Sequence, residues 1–323
     1  MFRPQQINFA EIMKTHFELN TLCREIWLPA ALVLIFALPF SVPAQTASIH
    51  SALGNPSNAV ANKEMSDNFL LEKPQFVLSY NKAKGGANWV SWHVEAADLG
   101  GEERGQFAPD LSLPKDWRIL PRDYLNSGYD RGHLCPSGDR TASRIANDAT
   151  FAMSNMLPQE GDVNRFGWAK LEGYTRDLVK RGNEAYVITG GYGSKETIAN
   201  GRVNVPTNFW KVIVILPSGK NDLKRINTKT RVIAVDMPND EGLSQKPWRD
   251  YITTVDEIET ATGYDLLSKL PEAIQAAVEA KKDTGREAAS PVLPTAKRTT
   301  HRRAAARTRR PATRISTRRR GGN

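Results

Sequence analysis

The residues best suited to chemistry in this chain are four consecutive ones, Asp130-Arg131-Gly132-His133. Histidine has the side-chain pKa closest to neutrality, so His133 is suited to act as a general base. Arg131 can face a phosphate group, and Gly132 lets the backbone turn tightly between the two side chains. The motif therefore favours proton transfer beside a phosphate.

A second group of polar side chains follows at helical spacing. The stretch 164–181 predicts a helix that stops at Gly182, and at about 100° per residue Asn164, Glu172 and Arg176 span one broad face of it. An amide oxygen beside a carboxylate suits a hard cation that keeps several waters, as magnesium does, and the arginine can pair with a phosphate oxygen. The alternative is an ordinary exposed helix in which Glu172 and Arg176 form an i,i+4 ion pair.

The elements that must position these residues are both strands and helices. Runs rich in β-branched and aromatic residues predict strands at 76–80, 89–94, 185–189, 210–215 and 230–235. Helices are predicted at 255–262 and 270–281, besides 164–181. Because strands and helices do not alternate regularly, a mixed α+β domain is favoured over a doubly wound parallel sheet.

With these motifs, the chain resembles the DNA/RNA non-specific endonuclease family of the ββα-metal superfamily, most closely its secreted, cyanobacterial-type, sugar-non-specific nucleases. The resemblance covers roughly residues 54–282, with further ordered matches at 54–57, 78–81, 88–92, 155–159, 230–235 and 262–265. It implies an α+β, ββα-metal nuclease fold with a mixed or antiparallel sheet flanked by helices. It also implies hydrolysis of phosphodiester bonds in DNA and RNA.

The resemblance implies roles for individual residues. His133 matches the general base that takes a proton from the attacking water, and Asn164 matches the one direct protein ligand of Mg²⁺, which Mn²⁺ could replace. Glu172 matches the carboxylate that holds a water of this ion, and Arg104 matches the arginine that stabilises charge on the phosphate in the transition state. The supporting residues of the family's site match Asp130, Arg131, Asn155 and Arg176.

Two positions depart from the family pattern. Phe151 stands where some members carry asparagine, and Cys135 stands where a small residue such as alanine is usual. We expect Cys135 to be a small buried residue rather than a reactive thiol, because Cys23 would be removed with a leader and no partner cysteine would remain. His93 lies in a strand pattern and is expected to be structural.

The alternative function is a nucleic-acid-binding protein that has kept the fold and lost catalysis. His133, Asn164, Glu172 and Arg104 together argue for the enzyme, because a binding module does not need that set. A nuclease toxin is a third possibility, which would call for a delivery domain that is not visible. No base-reading motif is visible either, and a site that addresses phosphate and metal predicts cleavage without sequence preference. The pattern does not indicate an oligomeric state.

The 323 residues are expected to divide into a leader, one domain and a tail. Residues 1–44, with a possible alternative start at Met13, are typical of a signal peptide, because 27–40 are almost all apolar. The alternatives are an uncleaved membrane anchor or a buried helix. A lead-in at 45–66, a nuclease domain at 67–282 and a linker at 283–296 follow. We therefore expect a secreted or periplasmic protein, without stable membrane association once the leader is cleaved.

The basic character of the chain is concentrated in its last segment, 297–323. This segment carries eleven Lys and Arg and no acid. The whole chain has a net charge of +9, so the remainder of the chain has a net charge of 9 − 11 = −2. A segment of this composition buries too little apolar surface to offset its ordering entropy, so it is expected to be a disordered, Arg-rich tail. It is expected to bind nucleic acid or another polyanion; the alternative is a solvated tail that keeps the protein soluble.

Overall fold

The computed structural model of the protein describes residues 48–285. The expected leader and Arg-rich tail, together with nearly all of the expected linker, lie outside the described residues. Within 48–285, no helix has both the length and the apolar character needed to cross a membrane.

Most of the strands form one antiparallel sheet in the order β1-β2-β3-β6-β9-β10-β11, and β4-β5 and β7-β8 form separate antiparallel ribbons. The strands of the described residues are β1 (Phe69–Glu72), β2 (Val77–Asn81), β3 (Gly86–Val94), β4 (Asp130–His133), β5 (Met156–Gln159), β6 (Asn183–Tyr192), β7 (Glu196–Ile198), β8 (Val203–Val205), β9 (Asn208–Pro217), β10 (Arg231–Pro238) and β11 (Ile252–Thr253). The five predicted strands are β2, β3, β6, β9 and β10, and the α+β fold class is confirmed.

The helices of the described residues are short. The α-helices are α1 (Arg144–Thr150), α2 (Ala169–Lys180), α3 (Asp222–Arg225), α4 (Val255–Thr262) and α5 (Glu272–Glu279). Short 3₁₀ segments lie at Ile49–Ser51, Ala96–Asp98, Lys115–Trp117, Pro121–Tyr124, Ser137–Asp139, Met153–Asn155 and Trp248–Tyr251. The predicted helix 255–262 is α4: Thr254 and Glu257 form a capping box at its start, and Gly263 ends it in the left-handed conformation, with φ of 72°.

The helix predicted over 164–181 begins differently from the prediction. Residues Val163–Trp168 form a π-helix, and the regular helix α2 starts only at Ala169. The rotation of 100° per residue therefore does not apply between Asn164 and Glu172, because a π-helical turn contains an extra residue. Asn164 and Glu172 nevertheless line the same cleft.

Both faces of the central sheet are buried, because alternate residues of its inner strands enter two different hydrophobic clusters. In β9, Ile213 and Ile215 belong to the first cluster together with α2. Val212 and Val214 belong to the second cluster together with α4 and α5. The α2 face of the sheet therefore differs from the α4–α5 face, and the candidate site lies on the α2 face.

The folded body extends beyond the domain boundaries expected from the sequence. Leu53 and Ala59, in the expected lead-in, are buried in the second hydrophobic cluster. Asp283, the first residue of the expected linker, is buried in an ion pair with Arg231 at 2.8 Å. Contacts with the rest of the domain therefore incorporate Leu53, Ala59 and Asp283 into the folded body, although small and polar residues suggested a lead-in or linker there.

Candidate active site

The Asp-Arg-Gly-His motif is strand β4, which pairs with β5 so that His133 lies opposite Met156. A Cβ atom at Gly132 would lie 2.7 Å from Cβ of Gln159 and 3.0 Å from the carbonyl oxygen of Leu157. Gly132 is therefore required by the close approach of β5. The tight turn predicted at this glycine is not present, because the residue is part of an extended strand.

The His133 ring lies against two aromatic rings, with centroids 5.6 Å from Phe107 and 4.8 Å from Phe151. Its Nε2 atom is buried and has no hydrogen-bond partner among the described residues. Burial and the neighbouring positive charge of Arg104 lower the pKa of His133 to about 3, although a hydrogen bond to the backbone of Arg131 opposes this shift. The imidazole is therefore neutral at pH 7, and Nε2 can accept a proton.

Asp130 holds the side chain of Asn164 in place. The Asn164 Nδ2 atom donates to Asp130 Oδ2 at 2.9 Å, and the Arg165 guanidinium donates to both oxygens of the same carboxylate. Burial acts to raise the pKa of Asp130, but these hydrogen bonds outweigh it and lower the pKa below its usual value. Because the amide nitrogen of Asn164 faces Asp130, its carbonyl oxygen is left to serve as a ligand.

Glu172 forms an ion pair that sequence analysis did not predict. Its Oε1 atom lies 3.4 Å from Nζ of Lys211, in the middle of β9, and both side chains are largely buried. The Lys211 ammonium also lies 4.3 Å from the ring centroid of Trp168 and 5.5 Å from that of Trp92. Burial raises the pKa of Glu172 and lowers the pKa of Lys211, while the attraction between the two charges opposes both shifts.

A buried aspartate holds the Arg176 side chain in position. Its NH1 atom donates to Asp139 Oδ1 at 3.0 Å, and the other oxygen of Asp139 accepts a hydrogen bond from the Trp92 indole at 2.9 Å. Glu172 thus pairs with Lys211, and Arg176 pairs with Asp139. The exposed i,i+4 pair that we considered as an alternative is not what holds these two side chains.

Two further arginines line the cleft against aromatic rings. Arg104 donates to Ser137 Oγ at 3.1 Å, and its guanidinium carbon lies 5.2 Å from the ring centroid of Phe151. Arg131 donates through Nε and NH2 to the carbonyl oxygen of Pro121 and lies 5.1 Å from the ring of Phe107. Both guanidinium groups are therefore oriented while they still line the cleft.

The structure brings seven of the eight predicted site residues to one cleft of about 640 Å³: Arg104, Asp130, Arg131, His133, Asn164, Glu172 and Arg176. The eighth, Asn155, does not line the cleft and is fully buried. Its amide group donates to the carbonyl oxygens of Cys135 and Thr150 and accepts from the Cys135 backbone N–H. Asn155 therefore braces the chain just after His133. Cys135 itself is free and buried, and His93 is buried as well.

Sequence analysis missed Arg165, Lys211 and Asp139. Lys211 had a visible signal, since it is the single charged residue in the apolar strand 210–215. A lysine at such a position requires a buried carboxylate partner or a cation–π contact. Its partner, 39 residues away, could not be identified without the fold.

Comparisons with known proteins identify the family of the chain. Residues 53–273 match the DNA/RNA non-specific endonuclease family. The chain is 47% identical to a nuclease from Nostoc sp. over 247 residues, which cover 76% of this chain and 90% of the relative. It is 36% identical to nuclease C1 of Cunninghamella echinulata over 217 residues, 62% of this chain and 83% of that one.

Similar relatives extend to animal mitochondria and to a solved structure. Human mitochondrial endonuclease G is 31% identical over 209 residues, which cover 60% of this chain and 68% of the relative. A chain in the crystal structure of the EndoG/EndoGI complex superposes with a TM-score of 0.60 at 26% identity, covering 71% of this chain and 94% of that one. The chain therefore belongs to the DNA/RNA non-specific endonuclease family and is a metal-dependent endonuclease with the ββα-metal fold.

Proposed function

We propose that the protein is a secreted, Mg²⁺-dependent endonuclease that hydrolyses phosphodiester bonds of DNA and RNA without base specificity. The observation that carries this proposal is the neutral His133, which lines a cleft with several arginines and whose Nε2 atom has no hydrogen-bond partner among the described residues. A neutral imidazole beside fixed positive charge suits proton abstraction next to a phosphate.

The residues present fit a hard divalent cation such as Mg²⁺ or Mn²⁺. Asn164 would hold it directly, because its amide nitrogen is engaged by Asp130 and its oxygen remains available. Glu172 supplies the carboxylate of the same cleft. When bound, such a cation neutralises charge on the phosphate and assists departure of the leaving oxygen.

The protein residues supply the remaining chemistry. His133 Nε2 takes a proton from the attacking water, while Arg104 stabilises the negative charge that develops on the phosphate oxygens. Arg131 and Arg176, which also line the cleft, orient the phosphate. These groups address the phosphodiester and not the base edges, which accounts for cleavage of either nucleic acid without sequence preference.

The direct test is digestion of supercoiled plasmid and of an RNA transcript by residues 45–323, with either MgCl₂ or EDTA. We expect both polymers to be degraded in MgCl₂, with MnCl₂ as a substitute, and neither in EDTA. Retardation of DNA without cleavage under any divalent metal would instead establish the binding protein that we considered as the alternative.

Two further proposals concern the ends of the chain. We propose that residues 297–323 bind nucleic acid or another polyanion without sequence preference, since eleven cationic side chains would release counterions on binding. Removal of this segment should make DNA binding less steeply dependent on salt; an unchanged dependence would exclude the anchor. We also propose that residues 1–44 are cleaved on secretion, which N-terminal sequencing of protein recovered from the medium would test.

A further inference from the structure

On the face of the sheet opposite the candidate active site, helices α4 and α5 pack against each other and against the second hydrophobic cluster. Three carboxylates meet there: Asp256 and Glu259 on α4, and Glu279 at the end of α5. Asp256 and Glu259 are three residues apart and so lie on the same side of α4. An oxygen of each of the three lies within 4.8 Å of the others.

Glu279 is the member that demands an explanation. It is only 5% exposed, and its Oε1 atom is buried without a hydrogen-bond partner. Leaving a buried carboxylate oxygen unpaired is costly, so such an atom is normally bound to something. Burial and the negative charge of Glu259 raise the pKa of Glu279 to about 8, although a hydrogen bond from the Gln275 side chain to this carboxylate opposes the shift.

Among the described residues, this cluster has no ion-pair partner. Within residues 48–285, no lysine or arginine forms an ion pair with Asp256, Glu259 or Glu279; the nearby Lys282 pairs with Glu257 instead. A second group with closely spaced ligand atoms, formed by His93, Glu184 and Asp222, differs in this respect. There, Arg225 pairs with both carboxylates, so that group already has a cationic partner within the protein.

We propose that Asp256, Glu259 and Glu279 form a binding site for Ca²⁺, separate from the candidate active site, that ties α5 to α4. Calcium is bound by carboxylate oxygens at about 2.3–2.6 Å in flexible geometry, so oxygens within 4.8 Å of one another can share one ion. Asp256 is exposed and leaves room for water ligands, while Glu259 is oriented by a hydrogen bond from the Leu266 backbone N–H at 2.6 Å. Bound calcium would supply a cationic partner for the buried carboxylate of Glu279.

The proposal is tested by thermal unfolding of the full chain in CaCl₂ or EDTA at about pH 8, where competition from protons is weaker. Calcium at about a hundred times its dissociation constant should raise Tm by roughly 5 °C or more for a domain of this size. Glu279→Gln should abolish this rise while leaving the metal-free protein at least as stable, because it removes a buried carboxylate. Mg²⁺-dependent cleavage by this variant should be unchanged, since the site lies on the other face of the sheet.

Two control variants separate this site from other causes. Glu272→Gln removes an exposed glutamate from the same helix, and Asn164→Ala removes the proposed Mg²⁺ ligand; both should keep the full response to CaCl₂. If Glu279→Gln does not fold, Asp256→Asn serves instead, because that side chain is exposed. Absence of a calcium response in the parent protein, or an equal response in Glu279→Gln or Asp256→Asn, would overturn the proposal.

Discussion

Replacement of His133 by alanine is expected to lower kcat for plasmid cleavage by a factor of about 10² to 10⁴, the range typical for loss of a general base. The reason is that the neutral His133 imidazole lines the cleft beside the arginines, and its Nε2 atom has no hydrogen-bond partner among the described residues. Cleavage rates under saturating MgCl₂ measure the effect.

The control for this substitution is retention of fold and of binding. His133→Ala should remain folded and keep the DNA affinity of the parent, because the ring forms no ion pair among the described residues, but its Tm should fall modestly because a ring packed against Phe107 and Phe151 is removed. Added imidazole should restore part of the activity, since the substitution leaves a space of matching shape between these rings. A folded variant that cleaves within tenfold of the parent would contradict the assignment of His133 as the base.

The same residue predicts the acid side of the pH profile. His133 acts as a base only when neutral, and its pKa is lowered to about 3, so the active form persists as the pH falls well below 6.5. We therefore expect kcat/KM of the free enzyme to show no loss near pH 6.5 from this group and to decline only toward its lowered pKa. A clear acid limb centred near 6.5 that disappears in His133→Ala would contradict this.

Replacement of Lys211 by methionine is expected to lower the free energy of unfolding by about 3–5 kcal/mol, as for other buried pairs that lose one partner. The substitution leaves the Glu172 carboxylate without its nearest counter-charge and removes the cation from the faces of Trp92 and Trp168. Urea denaturation at pH 7 measures the change. Cleavage should fall as well, because a Glu172 that takes up a proton can no longer assist a cation in the cleft.

Two comparisons test the cause of this destabilisation. The double variant Lys211→Met/Glu172→Gln should recover much of the lost stability, because no uncompensated charge then remains buried. Lys82→Met, which breaks the exposed pair with Asp116, should cost less than about 1 kcal/mol. Equal losses for Lys211→Met and Lys82→Met would show that the buried pair is not what stabilises this region.

Several elements of this protein could be predicted from the sequence because local chemistry determines them. Runs of β-branched and aromatic residues predicted the inner strands of the sheet. Thr254 and Glu257 form the cap at the start of α4, and Gly263 ends this helix, so both ends are determined by residues adjacent to or within it. The types and order of residues in β4, the π-helix and α2 likewise indicated the candidate site, because few segments combine a base, a cation ligand and phosphate partners.

Other features were decided only by the tertiary structure, because they depend on residues distant in the chain. Lys211 pairs with a glutamate 39 positions away, and the burial of Leu53 depends on its position against the sheet. Asn155 has the same type of side chain as Asn164, but its hydrogen bonds to the backbone of Cys135 and Thr150 give it a structural role. Residue types therefore determined which chemistry this protein can perform, whereas packing decided which of those residues reach the cleft, because burial and pairing are set by non-local contacts.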